Sequence, residues 1–241
     1  MKLKRVLKYL LLVVLIGFLG FLYGFTSKRN NEKKVTKIEV KFEAGNNNFL
    51  THAMVDKLLI QNNKTVQNQA KSMLDLYSLE RSVSKNPYIE KAVVFLTIGG
   101  VVKATIKQRT PIARILSGKD SYYVDKQGVK MPLSANYSAR VLLVSGVENA
   151  EDIQVILPLI STVLKDSFLQ KEIVGIVKSA DDTYEFSVRS GNYKINFGKL
   201  TEIELKFKKL KAFYNTTFKN KMIQEYKTIA LKYHNQVVCT K

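Results

Sequence analysis

The most strongly patterned part of the chain is an uninterrupted apolar run near its N-terminus. Residues 9–25 read YLLLVVLIGFLGFLYGF, with no charge and no polar face. A helix that spans a bilayer needs about 20 apolar residues. Val6 and Leu7 lengthen the run if Lys8 extends its ammonium group to the headgroups. The pattern predicts a transmembrane helix rather than a cleaved signal peptide, because the run is long and no A-x-A-like site follows it.

Charges around this run indicate its orientation only weakly. Basic residues lie on both sides, before the run and directly after it: Lys2, Lys4, Arg5, Lys8, Lys28 and Arg29. The tail over residues 1–8 is short and the region after the run is long, which favours insertion with the tail in the cytoplasm. We therefore expect a single-pass protein with the bulk of the chain outside the cytoplasm.

Alternating apolar and polar positions return after a polar linker over residues 26–34. From Ile38 to Phe42 every second residue is apolar, which is typical of a strand. The pattern predicts, in order, strand 35–42, helix 52–60, loop 62–68, helix 73–84, and strands 89–98 and 101–107. Gly99-Gly100 between the last two strands indicates a tight hairpin. The order strand, helix, helix, strand, strand is complete by Arg109 and defines one small unit.

A break at Thr110-Pro111 opens a second region, in which strands predominate. One of its turns runs from Asp125 to Gly128, and Asp and Gly are the residues that type I turns favour at these ends. The predicted elements are a hairpin over 121–131, strand 141–144, helix 150–168, strands 172–178, 183–189 and 193–197, helix 200–214, and terminal strands 228–231 and 236–240. Pro158 is expected to kink the first of these helices or to divide it in two.

The charge balance is strongly basic, with 39 Lys and Arg against 20 Asp and Glu and a formal net charge of +19. A basic helix such as residues 205–211, LKFKKLK, is compatible with phosphate binding. However, the basic residues are spread over the whole chain and are not interleaved with aromatic residues, as a stacking platform for bases requires. We expect a solvated helix face near anionic lipid and no nucleic-acid partner.

Candidate catalytic and metal-binding residues are few. The two histidines, His52 and His234, lie far apart in the sequence, and no catalytic motif occurs. The acidic pairs Glu151-Asp152 and Asp181-Asp182 suit a helix start and a turn, although a glycosidase-type carboxylate pair stays open. The single cysteine, Cys239, excludes an intramolecular disulfide and a cysteine-pair metal site, and we expect it in the tail or a terminal strand. We expect no enzyme, no small-molecule substrate, no metal and no cofactor.

Several short stretches, taken in order, are similar to a known family. They are Leu79-Glu80, NPYIEKAV at 86–93, IKQRTPIAR at 106–114, YYVDKQG at 122–128 and LKY at 231–233. With the short tail and the single apolar run, the chain resembles the bacterial cell-division proteins FtsQ and DivIB over nearly its whole length. Residues 235–241 are similar to the form found in Bacteroidota.

The resemblance implies a fold of class α+β with a single N-terminal transmembrane helix. A POTRA domain of order β-α-α-β-β is expected at 35–109, in agreement with the pattern of the first unit. A mixed β domain with flanking helices is expected at 110–241. The chain departs from the family in its very short cytoplasmic tail and in the long polar loop over 61–71, so a cytoplasmic partner is not expected.

The resemblance also implies a function without catalysis. FtsQ-like proteins are scaffolds of the divisome in the cell inner membrane, with the bulk of the chain in the periplasm. They bind FtsB and FtsL and help to place the septal peptidoglycan synthases FtsW and FtsI. For this chain it therefore implies FtsB/FtsL-like partners, possible links to FtsW/FtsI-like synthases, and a location at the division septum.

The family binds FtsB at the last strand of the β domain and at the helix near it. The matching positions here are Ile203, Phe207, Leu210, Tyr214, Tyr226, Thr228, Ile229, Ala230, Leu231, Lys232 and Tyr233. We expect a partner strand to pair with the backbone of residues 228–231, because a strand at a sheet edge leaves N–H and C=O groups unpaired. Tyr226 and Tyr233 are the expected aromatic anchors. The alternative for each tyrosine is that it packs in the core of its own domain.

Two other classes of function stay open. A POTRA domain is also compatible with an envelope assembly or secretion factor that acts as a chaperone-like docking module. The apolar run disfavours that class without excluding it. A membrane-tethered hydrolase is the other alternative, but the sequence offers it no acid or nucleophile pair.

Overall fold

The structure is a computed structural model that describes residues 2–45, 47–61, 64–118, 120–217, 222–234 and 236–241. The chain divides after Gln108 into two compact units, Met1–Gln108 and Arg109–Lys241. Each unit has a hydrophobic core of its own.

The first element of the N-terminal unit is the helix α1, Lys2–Glu32. Its segment Tyr9–Asn30 is long and apolar enough to cross a membrane, and none of its side chains is buried. Signal sequences pass the same criterion of length and composition. The helix continues through residues 26–32, where the sequence predicted a linker, because no Gly or Pro interrupts this stretch and Lys28 and Arg29 complement the helix dipole.

The rest of this unit has the predicted order β-α-α-β-β with one addition. Its elements are β1 (Lys37–Phe42), α2 (His52–Leu58), β2 (Ile60–Gln61), β3 (Lys64–Thr65), α3 (Leu76–Ser84), β4 (Ile89–Leu96) and β5 (Val101–Gln108). The strand β5 lies between β1, which is parallel to it, and β4, which is antiparallel. The addition is the β2–β3 ladder, which the sequence analysis assigned to a loop; residues 62 and 63 of that loop lie outside the described residues.

Both helices start at side-chain caps. The Thr51 side chain accepts a hydrogen bond from the Met54 amide, and the Asp75 side chain accepts one from the Ser78 amide. Asp75 therefore begins α3 three residues after the predicted start, and a 3₁₀ turn occupies Lys71–Met73.

One face of the three-stranded sheet is covered by α2 and α3. Alternate residues of β5 point to that face and are buried, namely Val102, Ala104, Ile106 and Gln108. The buried amide of Gln108 accepts hydrogen bonds from the amides of Phe49 and Leu50 and donates one to the Leu50 carbonyl. On the opposite face Val93 and Phe95 stay exposed.

The C-terminal unit is a mixed sheet of nine strands with three helices. Its elements are β6 (Pro111–Ser117), β7 (Asp120–Asp125), β8 (Lys130–Pro132), β9 (Leu142–Ser145), α4 (Ala150–Lys165), α5 (Ser167–Glu172), β10 (Ile173–Lys178), β11 (Tyr184–Val188), β12 (Lys194–Gly198), α6 (Ile203–Thr217), β13 (Thr228–Ala230) and β14 (Val238–Thr240). A 3₁₀ turn at Met222–Glu225 precedes β13. The strand order is β14-β13-β12-β11-β10-β9-β6-β7-β8. The pairs β6–β9, β9–β10 and β12–β13 are parallel and the others are antiparallel.

Two elements of this unit differ from the prediction. The strand β6 begins at Pro111, which the sequence analysis treated only as a break; the first residue of a strand is one of the positions at which proline is found in sheets. The sequence predicted that Pro158 kinks this helix or divides it in two; α4 runs through Pro158 as one element, so the division does not occur at this residue. The division comes at Asp166, whose carboxylate accepts hydrogen bonds from the Phe168 and Leu169 amides and so begins α5.

The core of the C-terminal unit lies between the sheet and its helices. Phe186 of β11, Phe197 of β12 and Phe207 of α6 form an aromatic cluster with centroid distances of 4.9, 5.2 and 6.0 Å. Ile156 and Ile160 of α4 are buried in the same core. These contacts place α6 directly against β11 and β12.

Gly146, in the turn after β9, offers a sharp test of this packing. Its φ is +76°, and a Cβ atom there would collide with the carbonyl oxygen of Lys178. Gly118 has a φ of +57° with nothing within 4 Å of the same position. We expect Gly118→Ala to lower the free energy of unfolding by about 1–2 kcal/mol, the cost of the left-handed backbone. Gly146→Ala adds overpacking and should cost about 1–3 kcal/mol more.

Urea unfolding of the detergent-solubilised chain, followed by far-ultraviolet circular dichroism, measures both variants. Equal destabilisation by the two substitutions would contradict the close approach of the Gly146 turn to the end of β10.

Candidate partner-binding surface

The predicted binding residues of α6 lie on the helix face that meets the sheet. Phe207, Leu210 and Tyr214 are buried, and Ile203 is partly buried against the same core. Their spacing of three and four residues places them on one stripe of the helix. These four side chains therefore pack inside their own domain, and they hold α6 in place rather than present a surface.

Tyr214 takes part in a buried polar network beneath α6. Its hydroxyl lies 2.7 Å from the hydroxyl of Tyr193 and donates to the carboxylate of Glu172 at 3.2 Å. Tyr193 donates to the same carboxylate oxygen, as does Ser190. Burial raises the pKa of Tyr193 to about 12 and also raises the pKa of Tyr214. The network satisfies the polar groups of four buried or partly buried side chains and joins α6 to α5 and to β12.

Two lysines on α6 reach backbone carbonyls instead of acidic side chains. Lys206 is buried; its Nζ donates to the Lys199 carbonyl at 2.7 Å and lies 4.8 Å from the centre of the Phe197 ring. Burial lowers the pKa of the Lys206 ammonium group. Lys209 donates to three carbonyls just after β13, those of Leu231, Tyr233 and His234, at 3.3, 2.6 and 3.1 Å. Lys209, in the middle of α6, thus holds residues 231–234 of the segment after β13 against this helix.

The strand β13 is not at the edge of the sheet. It pairs with β12 on one side, through Lys194↔Thr228 to Asn196↔Ala230, and with β14 on the other. The side chains of Ile229 and Leu231 are buried. The expectation that residues 228–231 offer a free backbone edge is therefore corrected: β14 already occupies that edge.

The outermost strand at this end of the sheet is β14. It pairs with β13 over three residues, Thr228↔Thr240, Ile229↔Cys239 and Ala230↔Val238. Cys239 lies in this terminal strand, as predicted, and burial raises the pKa of its thiol. Lys241 is paired with Glu225, and the Lys227 amide donates to the Thr240 carbonyl at 2.8 Å. Among the described residues no strand pairs with the outer side of β14.

The remaining predicted residues differ in exposure. Tyr233 is 42% exposed, with the Nζ of Lys232 5.5 Å from the centre of its ring. Tyr226 is partly buried and lies 5.8 Å from the ring of Phe213. Thr228 and Ala230 are partly exposed between their neighbouring strands. We call β14 together with Lys232 and Tyr233 the C-terminal edge; Lys232 and Tyr233 belong to the predicted site, and β14 is added to them by the structure.

The local sequence pattern did not indicate that β14 is the edge strand at this site. Its only signal was the apolar stretch 236–240, which was predicted as terminal strand material. The order of strands within a sheet depends on pairing between segments that are distant in the sequence. A local sequence pattern does not show this pairing.

The acidic pairs have structural partners. The Asp152 carboxylate accepts hydrogen bonds from Lys178 at 2.9 Å and from the Glu148 amide at 3.2 Å, and these bonds lower its pKa. Asp182 binds the same ammonium group at 2.9 Å. Within the described ranges no group of three or more His, Cys, Asp or Glu side chains is placed to hold a metal ion.

These features define a class: an α+β chain with an apolar N-terminal helix, a β-α-α-β-β unit and a mixed sheet with a terminal edge strand. A family model described as FtsQ/DivIB, C-terminal related, matches residues 110–240, and a POTRA-like domain model matches residues 33–107. The chain belongs to the FtsQ/DivIB-related family, which confirms the resemblance seen in the sequence. This family is generally non-catalytic. No curated protein matches the chain.

The tyrosine network predicts how stability changes at alkaline pH. Tyr193 has a native pKa of about 12 against an ordinary value of 10.0. Its contribution to the free energy of unfolding is complete below pH 10 and is lost as the pH rises towards 12. The reason is that the tyrosine releases its proton at a lower pH in the unfolded chain than in the folded chain. Each buried tyrosine with a raised pKa lowers the free energy of unfolding by about 1.4 kcal/mol per pH unit in this window.

Urea unfolding between pH 8 and about 11.5 checks this expectation. The alkaline loss should be shallower in Tyr193→Phe than in the unchanged chain. Tyr77→Phe is the matched control, since Tyr77 is 72% exposed, and it should follow the unchanged chain. Identical slopes for all three proteins would contradict the buried network.

Proposed function

We propose that this chain is a non-catalytic scaffold of the cell-division machinery, tethered in the inner membrane by α1. Membership of the FtsQ/DivIB-related family supports a role in division. The proposed partners are FtsB/FtsL-like proteins, with FtsW/FtsI-like septal synthases reached through them. Binding takes place at the C-terminal edge, and the proposed location is the division septum with both folded units in the periplasm.

The tether is supported by the length and exposure of α1. The 22 residues of Tyr9–Asn30 are about 33 Å long at 1.5 Å per residue, which matches a hydrocarbon core of about 30 Å. Leu10, Leu15 and Phe18 are more than half exposed in water, which costs free energy that a lipid environment removes. As an uncleaved anchor, α1 places these side chains in lipid in the mature protein.

The observation that carries the proposal is the open outer side of β14. A peptide that adds there as a further strand completes the backbone hydrogen bonds of the edge, which is a recurring mode of peptide recognition. The edge is short, at three residues; Lys241 directly follows it, and Lys232 lies in the segment between β13 and β14. Short strands and lysines are the devices that keep an edge from pairing indiscriminately. A partner strand with acidic residues opposite these lysines can pair with this edge selectively.

The exposed side chain of Tyr233, in the segment between β13 and β14, supplies specificity. Tyr233 is held at the surface because Lys209 fixes the carbonyls of residues 231, 233 and 234. A fixed aromatic ring loses little conformational freedom when a partner covers it, which is why tyrosine is common at binding hot spots. The buried residues of the predicted site, such as Leu210 and Ile229, act through the position of this edge and not by contact.

Removal of β14 tests the mode of binding. We expect deletion of residues 236–241 from the full chain to weaken capture of a tagged FtsB/FtsL-like complex at least about tenfold, since the backbone of the edge is lost. Lys232→Glu should weaken it by a smaller factor. Lys126→Glu, a charge reversal in the turn after β7, is the matched control and should leave capture unchanged.

The deletion also separates two ways of strand pairing. Unchanged or stronger capture would mean that the partner replaces β14 and pairs with residues 228–231, and would overturn addition to the outer side. Val238→Pro and Cys239→Pro, made separately, keep the chain length; since alternate residues direct their N–H groups outward, one of the two should reproduce the loss.

Localisation tests the role in division. A fluorescent fusion to the full chain is expected to form a ring at mid-cell, because its partners assemble there. Deletion of residues 236–241 should disperse the ring while the protein stays in the membrane fraction. A uniform envelope signal from the unchanged chain would contradict the division role and favour the envelope assembly or secretion alternative.

A further inference from the structure

The turn between β4 and β5 carries the most exposed large apolar side chain among the residues that the structure describes. Ile98 is 88% exposed and lies at the tip of the hairpin beside Gly99 and Gly100. A single exposed isoleucine needs no explanation by itself. Its position relative to α1 is what gives it significance.

Hydrogen bonds hold this turn against the end of α1. The Gly100 carbonyl accepts from the Thr36 amide at 2.9 Å and from the Thr36 hydroxyl at 3.2 Å. The Lys71 amide donates to the Lys33 carbonyl at 2.9 Å, and its ammonium group donates to the Ile98 carbonyl at 2.5 Å. The connection that follows Glu32 is therefore fixed on both sides, and the turn cannot move away from the helix end without breaking these bonds.

Gly100 is required for this close approach. Its φ is +90°, and a Cβ atom there would lie 2.9 Å from the Lys34 carbonyl oxygen. The backbone of the turn and the backbone after α1 are thus in direct contact. Ile98 lines one depression of about 610 Å³ together with Tyr23, Phe25, Arg29 and Lys33.

The surroundings of the turn are strongly basic. Residues 26–38 contain five basic residues and one acidic residue, Glu32. The side chains of Lys28, Arg29, Lys33 and Lys34 are exposed. If Tyr9–Asn30 spans the bilayer, these cations and Ile98 lie at the depth of the lipid headgroups, where aromatic residues such as Tyr23 are also favoured.

We propose that the β4–β5 turn and the basic end of α1 form a second membrane contact, in which Ile98 enters the interfacial layer and the four cations bind anionic lipid headgroups. This inference rests on the proposed tether. Its consequence is that the tilt of the POTRA-like unit relative to the bilayer is fixed, with the β4–β5 end of its sheet towards the membrane. The occupant is lipid, because the site is continuous with the spanning segment and complementary in charge to an anionic surface.

Depth-dependent fluorescence quenching tests the proposal on the full chain. In a Cys239→Ser background, an environment-sensitive probe is attached to Ile98→Cys, to Lys85→Cys or to Phe18→Cys. The proteins are reconstituted in phosphatidylcholine vesicles with or without phosphatidylglycerol, and with nitroxide lipids that quench near the headgroup or deep in the acyl region. Lys85 is exposed at the opposite end of β4 from the turn, and Phe18 lies within α1.

We expect the probe at position 98 to be quenched from the headgroup level, the probe at 18 from the acyl region, and the probe at 85 by neither. Quenching at 98 should be at least about twofold stronger with phosphatidylglycerol, since each basic residue near an anionic surface favours contact by about fivefold. Equal quenching at 98 and 85, with the probe at 18 quenched, would overturn the second contact and leave the tether standing. No quenching at 18 would overturn both.

Lys33→Gln and Lys34→Gln in one chain separate charge from depth. The double variant should reduce the effect of phosphatidylglycerol on position 98, because two of the four cations are removed, while quenching in neutral vesicles stays unchanged. If the anionic lipid still strengthens quenching to the same extent, the proposed role of these cations is wrong.

Discussion

The packing of α6 against the sheet is the interaction on which the C-terminal half depends. Phe207 joins the rings of Phe186 and Phe197, and Tyr214 reaches the carboxylate of Glu172 through a shared network with Tyr193. Aromatic side chains bury large areas, and a buried carboxylate tolerates its position only when hydrogen bonds surround it. Because α6 is fixed in this way, the ammonium groups of Lys206 and Lys209 are positioned to donate hydrogen bonds to backbone carbonyls.

The position of Lys209 connects the packing of the core to the C-terminal edge. The three carbonyls bound by Lys209 belong to the segment between β13 and β14, so the last strand is positioned by a helix that precedes it by some twenty residues. A strand of only three residue pairs has little stability of its own. The edge offered to a partner is thus a property of the whole α6–sheet assembly, and the buried residues of the predicted site contribute through it.

The local patterns predicted most of the helices and strands, but fewer of the contacts and pairings between them. The apolar stripe of α6 was assigned to partner binding, and its side chains are instead buried in their own domain. The helix cap at Asp166 was not predicted, because this residue lies inside the helix predicted over 150–168. Of the two outcomes predicted for Pro158, a kink or a division, the division does not occur there. The strand β6 was missed because Pro111 resembles a break when its place at the start of a strand is not known. In the site, residues 228–231 were identified as strand, but not as an interior strand.

The sequence alone determined that the chain has one apolar helix without a polar face, a β-α-α-β-β unit and a β-rich region with a basic amphipathic helix. These follow from the period of the apolar residues, which is a local property. Only the tertiary structure decided that β14 covers β13, that Lys209 spans from α6 to the β13–β14 connection, and that Ile98 lies beside the end of α1. Each of these joins segments that are distant along the chain, and pairing between distant segments depends on which backbone groups and surfaces the rest of the fold has already occupied.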